Sequence, residues 1–256
     1  MFQRLGTFLA CICLFMSDVC LWAGEHPLPK EQRAEMERSF ARSVDQLTKR
    51  LVDDSRNVQL YSARGDAQFF LGQFKQAVAD YDKMVELDSS WNTKHWRRGI
   101  AYFYAGDSKK AAHQFEVYHT FDDVDRENGI WRFLSQTKAH GIEKARRGLL
   151  KYQKDDREPF PAVYRLFAGE TTPDKILKQI QAAKISDTDR QIRLFYAHLY
   201  IGLNHAVENR PKESAQHLKQ ATANKWAPRA SYGPKFMWHV GRLHYDRLAK
   251  SEANQP

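Results

Sequence analysis

Apolar residues recur along this chain at helical spacing, and no stretch alternates strictly enough to read as a strand. Met36, Phe40, Val44, Leu47 and Leu51 follow one another at three or four residues, which puts them on one face and predicts an amphipathic helix over 30–52. Further on, Trp131 to Phe133 and Ile142 to Leu150 flank Gly141, which predicts two helices with a turn between them. Pro159 and Pro161 interrupt the pattern, and Thr172 before Pro173 signals the start of a helix carrying Ile176, Leu177 and Ile180. Helices over about 187–208 and 212–224 follow, and Gly233-Pro234 opens a terminal one with Phe236, Val240, Leu243 and Leu248. The fold class this predicts is all-α.

The pattern also repeats. RGDAQFFLGQFKQAVADY (64–81) returns at a shift of 34 as RGIAYFYAGDSKKAAHQF (98–115), matching Gly65 to Gly99, Ala67 to Ala101, Phe69 to Phe103, Gly72 to Gly106, Ala77 to Ala111 and Tyr81 to Phe115. Small residues at the first Gly and the middle Ala let two helices approach closely, and the second Gly turns the chain between them. A degenerate third copy places Ala145 and Leu149 a further 34 residues on, and Gly202, Ser214, Leu218 and Ala221 keep the same relative offsets in a fourth. The closing proline of such units is absent, with Ser89 and Asp123 in its place, and Met84 and Tyr118 stand where a small residue is usual.

These positions are those of the tetratricopeptide repeat, which the chain resembles. The order of units is similar to that of the NlpI family of bacterial envelope lipoproteins. The likeness is nearest through RRGIAYFYAGDSKKAAHQF (97–115) and LFYAHLYIGLNHAVENRPKESAQHLKQA (194–221), and covers about 57–225. The repeat resemblance implies a right-handed helical solenoid of about four helix pairs with flanking amphipathic helices. The resulting organisation is a leader at 1–23, an N-terminal helix within 24–56 and two well-formed units over 57–124. A degenerate unit at 125–156, a spacer at 157–186, a fourth unit at 187–224 and a terminal helix and tail at 225–256 complete it. The family resemblance further implies an exported, dimeric adaptor holding a processing protease and cell-wall hydrolases together.

Composition changes the picture in two ways. Residues 1–23 read as a secretory leader, with Arg4 ahead of an apolar run from Leu5 to Met16 and a small residue, Ala23, at the cleavage position. That run is too short to span a bilayer, so no integral span is expected after cleavage, and the destination is the periplasm or cell envelope. Cys11, Cys13 and Cys20 all lie in this segment, so the mature chain is expected to be free of disulfides and thiolates. Asp18 and Val19 before Cys20 argue against lipidation there. The leader carries one charge of each sign, so the net charge of +9 survives its removal and favours acidic partners.

The candidate site follows from the repeats, whose concave face is a peptide-binding surface in solenoids. Concave positions fall at Ser62, Asp66, Phe69 and Phe70, then at Trp96, Ile100, Phe103 and Tyr104. The six apolar ones predict a groove for a protein or peptide partner, with Lys94, Arg97 and Arg98 as a basic rim. The competing expectation is that the N-terminal helix or a twin subunit fills this groove, making the chain a self-associating structural component. The Lys and Asn clamp of chaperone-tail repeats is missing, since Ser62, Asp66, Trp96 and Ile100 hold those positions. Lys144, Arg146, Arg147 and Lys151 form a second basic cluster.

Little else carries chemistry. His198 with His205, and His239 with His244, lack the spacing of a zinc hydrolase. Asp122, Asp123, Asp125 and Glu127 lack the alternation and glycine of a calcium loop and read as a helix connector. No nucleophile elbow, phosphate loop, dinucleotide fingerprint or nucleic-acid module is present. The expectation is a binding protein without enzymatic activity, metal or cofactor, and a cryptic hydrolase in the spacer is the remote alternative.

Overall fold

The computed structural model describes residues 26–154 and 156–253, so the leader and cleavage site expected from the sequence, with all three cysteines, lie outside the described residues. Those residues form twelve α-helices and no strand. They are α1 (Lys30–Asp53), α2 (Val58–Phe70), α3 (Phe74–Leu87), α4 (Trp96–Ala105), α5 (Ser108–His119) and α6 (Arg126–His140). Then come α7 (Ile142–Arg147), α8 (Phe160–Ala168), α9 (Pro173–Ala182), α10 (Asp187–Val207), α11 (Pro211–Ala223) and α12 (Tyr232–Ala253). None of these helices is long and apolar enough to cross a membrane.

Short polar side chains set where helices start. Asn57 accepts from the Gln59 and Leu60 amides, Asp107 from Lys110, Thr172 from Lys175 and Ser186 from Asp189, each satisfying donors that a first turn leaves open. Between α2 and α3, and between α4 and α5, the chain reverses at Gly72 (φ 75°) and Gly106 (φ 92°), a conformation costly for any residue with a Cβ. Pro161 does not interrupt a helix as the sequence pattern suggested. It sits in the first turn of α8, where a missing N–H breaks no intrahelical bond. Conversely α7 stops at Arg147, short of Leu150, because Arg132 Nη1 takes the Gly148 carbonyl at 2.5 Å and the chain turns away.

Consecutive helices pack on one another, α2 on α3, α4 on α5 and α10 on α11 among them, and α12 returns to lie on both α11 and α2. The three pairs share one device. A Cβ at Gly65 would meet the Tyr81 ring at 2.6 Å, one at Gly99 the Phe115 ring at 2.6 Å, and one at Gly202 the Leu218 side chain at 2.7 Å. In each pair the large residue lies sixteen positions after the glycine, so the same notch receives the same knob. A polar bond crosses each pair close to that notch: Arg64 to Asp80 at 2.7 Å, Arg98 to Gln114 at 2.8 Å, and Ser214 to the Gly202 carbonyl at 2.8 Å. Tyr81, Phe115 and Leu218 are fully buried, so none has room to retreat.

Gly99→Ala is expected to destabilise the chain by about 1–3 kcal/mol, since the added methyl overlaps a ring that cannot move. Gly233→Ala, where the same methyl meets nothing within 4 Å, should change stability by less than about 0.5 kcal/mol. Urea unfolding of both variants checks this, and equal effects would contradict the packing argument.

Candidate functional site

The concave rings predicted to form an open groove do come together, but the trough they make is occupied. Phe69, Ile100, Phe103 and Tyr104 are buried, while Phe70 and Trp96 are half-buried. The occupant is α12. Phe236 stacks on Phe69 with centroids 4.9 Å apart, lies 5.2 Å from Phe70, and meets Trp96 edge-on at 5.0 Å. One turn on, His239 lies 4.2 Å from Phe70, and His244 shares a 2.9 Å hydrogen bond with the Tyr104 hydroxyl. Of the N-terminal helix, Phe40 reaches the edge of the cluster, 5.1 Å from Phe70. An apolar trough of this depth is filled from within the chain by the terminal helix, whose period brings Phe236, His239 and Leu243 round to one side.

The basic rim is engaged as well. Arg97 is buried and donates to Asp66 at 2.5 Å and to Ser62 at 3.2 Å. Asp66 also accepts from the Tyr81 hydroxyl at 2.6 Å and from the Tyr232 hydroxyl at 2.5 Å, so one carboxylate ties α2, α3, α4 and the start of α12 together. Burial pulls the Arg97 pKa down while the Asp66 carboxylate lifts it, with the balance upward, so Arg97 stays charged. Arg98 donates to Gln114 and to Asn92, and Lys94 sits 4.5 Å over the Trp91 ring. Arg97 and Arg98 therefore hold the fold rather than face a partner.

What α12 leaves uncovered is a pocket of about 370 Å³ at the end of the trough. Trp96 and Ile100 line it on one side, Trp131 and Tyr196 on another, and Ser231 and Gly233 form its lip. Its polar wall is Asp125, Glu127 and Arg157. Arg157 faces Glu127 directly, Asp156 at 3.3 Å and Asp125 at 3.8 Å, and the buried Tyr200 hydroxyl donates to Glu127. Three carboxyl groups share one guanidinium. Burial, reinforced by the Glu127 carboxylate and opposed by Arg157, pushes the Asp125 carboxyl up to about 7. Burial likewise raises Glu127, with Arg157 and Tyr200 opposing it. Asn128, also in the wall and only 3% exposed, makes no side-chain hydrogen bond of good geometry, and neither does the Trp131 indole N–H.

Sequence reasoning placed Trp96 and Ile100 in a binding surface and took Asp125 and Glu127 for a helix connector. The connector reading holds locally, since Asp125 caps α6 by accepting from the Glu127 amide at 3.0 Å. The pocket depends on Arg157 and Tyr200, which lie 30 and 73 residues from Glu127, and no local signal announces them. The histidines of α10 and α11 pack together, His198 Nδ1 lying 3.0 Å from His217 Nδ1. Among the described residues no three His, Cys, Asp or Glu side chains are arranged to hold a metal. No family model matches the chain.

The buried histidines give the fold a pH dependence. Burial, with Lys138 and Arg247 nearby, lowers His244 to about 3, and burial lowers His198 and His217 to about 4. Between these values and the ordinary 6.5 the unfolded chain binds protons that the folded chain refuses, so their stability contribution is complete above 6.5 and lost as pH falls. Asp125 and Glu127 act oppositely, because burial raises both, Asp125 to about 7. The histidines outnumber them, so Tm is expected to be lower at pH 4.5 than at pH 7.5. His244→Asn should narrow that gap, and an unchanged gap in the variant would contradict the assignment.

Proposed function

We propose that this chain is an exported, tetratricopeptide-like adaptor without enzymatic activity, which receives a cationic side chain of a protein or peptide partner in the pocket at the end of its trough. Three helix pairs with the same glycine notch at the same offset support a right-handed solenoid built on repeats of this type. The leader at 1–23 supports a place in the periplasm or cell envelope. By its resemblance to the NlpI family, the partner is an envelope protease or cell-wall hydrolase, and a homodimer is the assembly.

One observation carries the site: aromatic rings and acidic side chains share a single cavity. Trp96, Trp131 and Tyr196 line it, and Asp125 brings a carboxyl group among them. A lysine or arginine side chain entering there gains a cation–π contact and an ion pair together. Binding of that kind favours the ionised form of Asp125, which is otherwise held near neutrality. A second reading, a structural component with its trough closed in cis, is favoured by the seating of Phe236 on Phe69 and differs in having no ligand for the pocket.

Selection of displayed random peptides on the full chain separates the two. The adaptor reading expects enriched peptides to carry Lys, Arg or a free terminal amine, and to bind Asp125→Asn and the plugged Ser231→Trp roughly tenfold more weakly. Asn remains a good helix cap, so the first variant keeps α6 intact. No enrichment, or enriched peptides indifferent to both substitutions, would reject the pocket and leave the structural reading.

A further inference from the structure

A second cavity, of about 760 Å³, shares no residue with the first and has the opposite charge. It lies among α6, α7, the segment after α7, and α8. Five cations face it, Arg126, Arg146, Arg147, Lys151 and Arg165, against one carboxylate, Glu170. Of the five, Arg146 is ion-paired, to Glu208 at 2.9 Å and more loosely to Glu143 at 3.8 Å. Arg147, Lys151 and Arg165 are exposed and have no ion pair among the described residues. Arg126 lies 5.2 Å over the Tyr152 ring, an arrangement that fixes its guanidinium without neutralising it.

Two donors at this cavity are buried and unanswered: Arg126 Nη1 and Arg146 Nε. A buried donor without an acceptor is costly, and like charges crowded into one concavity repel, so both terms fall when an anion enters. Guanidinium forks match the two oxygens of a carboxylate, and several stand here side by side.

The floor identifies the ligand further. Leu149, Leu150 and Pro161 form an apolar base beneath the cations. A small inorganic anion leaves that base uncovered. A lipid headgroup needs exposed apolar side chains beside it to enter the bilayer, and the large hydrophobic residues exposed among those described, Val52, Phe121 and Tyr232, do not line this cavity. A peptide that alternates acidic and apolar residues uses both the cations and the base. We infer that this groove binds a carboxylate-rich, leucine-containing peptide segment of a protein partner. The inference shares with the adaptor reading only that the partner is a protein; the site is separate, so it stands or falls by its own measurement.

The test titrates the full chain with a fluorescein-labelled peptide of alternating Glu-Glu-Leu triplets and reads anisotropy at several salt concentrations. Saturable binding that weakens with salt is expected. Arg147→Glu with Arg165→Glu, both at exposed positions with no ion pair among the described residues, should weaken it by about tenfold or more. Lys49→Glu with Lys75→Glu, the same charge change on exposed helix positions outside the groove, should alter it less than about twofold. Equal losses in the two double variants would overturn the groove in favour of bulk charge. Displacement of the peptide by micromolar pyrophosphate would reassign the site to a small phosphate. Sedimentation with phosphatidylglycerol vesicles that is lost in the groove variant, without peptide binding, would reassign it to a membrane surface. Either reassignment overturns the proposal.

Discussion

Everything in this molecule is arranged around the seating of one terminal helix in an aromatic trough. The rings of α2 and α4 make a hollow that water would fill at large cost, and Phe236 enters it against Phe69, Phe70 and Trp96. Each buried ring of this kind contributes on the order of 2–3 kcal/mol by removing apolar surface from water. The contact also closes that surface within the chain. On the adaptor reading, recognition falls to the pocket beside Trp96 and Ile100, which α12 borders through Gly233, Pro234 and Met237.

The polar groups inside the fold follow the same constraint. Asp66 is acceptable under the lip of the trough because Arg97, Tyr81 and Tyr232 all donate to it. His239 and His244 are tolerated on the docking face because burial keeps them neutral. The pocket departs from this economy. Asp125, Glu127 and Asp156 share one guanidinium, and the Asn128 amide has no partner of good geometry. Acidic groups that outnumber their one guanidinium beside a cavity are the feature on which the proposed ligand site rests. The basic groove beyond α6 is the complementary case, with donors in excess.

The helical architecture was legible because it rests on local rules. Periodic apolar residues such as Met36 to Leu51, the start signal at Thr172, and turns at Gly72 and Gly106 each act within a few residues of themselves. The notch at Gly65 and Gly99 was legible for a different reason: repetition at a fixed shift displayed the same contact twice. Identity of the aromatic positions was readable too, but not their fate. Whether Phe69 faces solvent or Phe236 depends on a helix more than 160 residues away, and sequence periodicity is silent on which apolar faces meet. Arg97 shows the same limit, since its place among surface-like positions gave no hint of Asp66 and Tyr232 around it. Glu127, Arg157 and Tyr200 converge from three separate segments, so the pocket exists only in the folded chain.

Amide hydrogen exchange of the full chain tests the central contact most directly. If α12 is locked into the trough, the amides of Phe236 to Tyr245 exchange only with global unfolding, at the same slow rate as those of Ile100 to Tyr104 beneath them. Rapid exchange across α12, with α2 to α5 still protected, would mean that the trough is open and that the account is wrong.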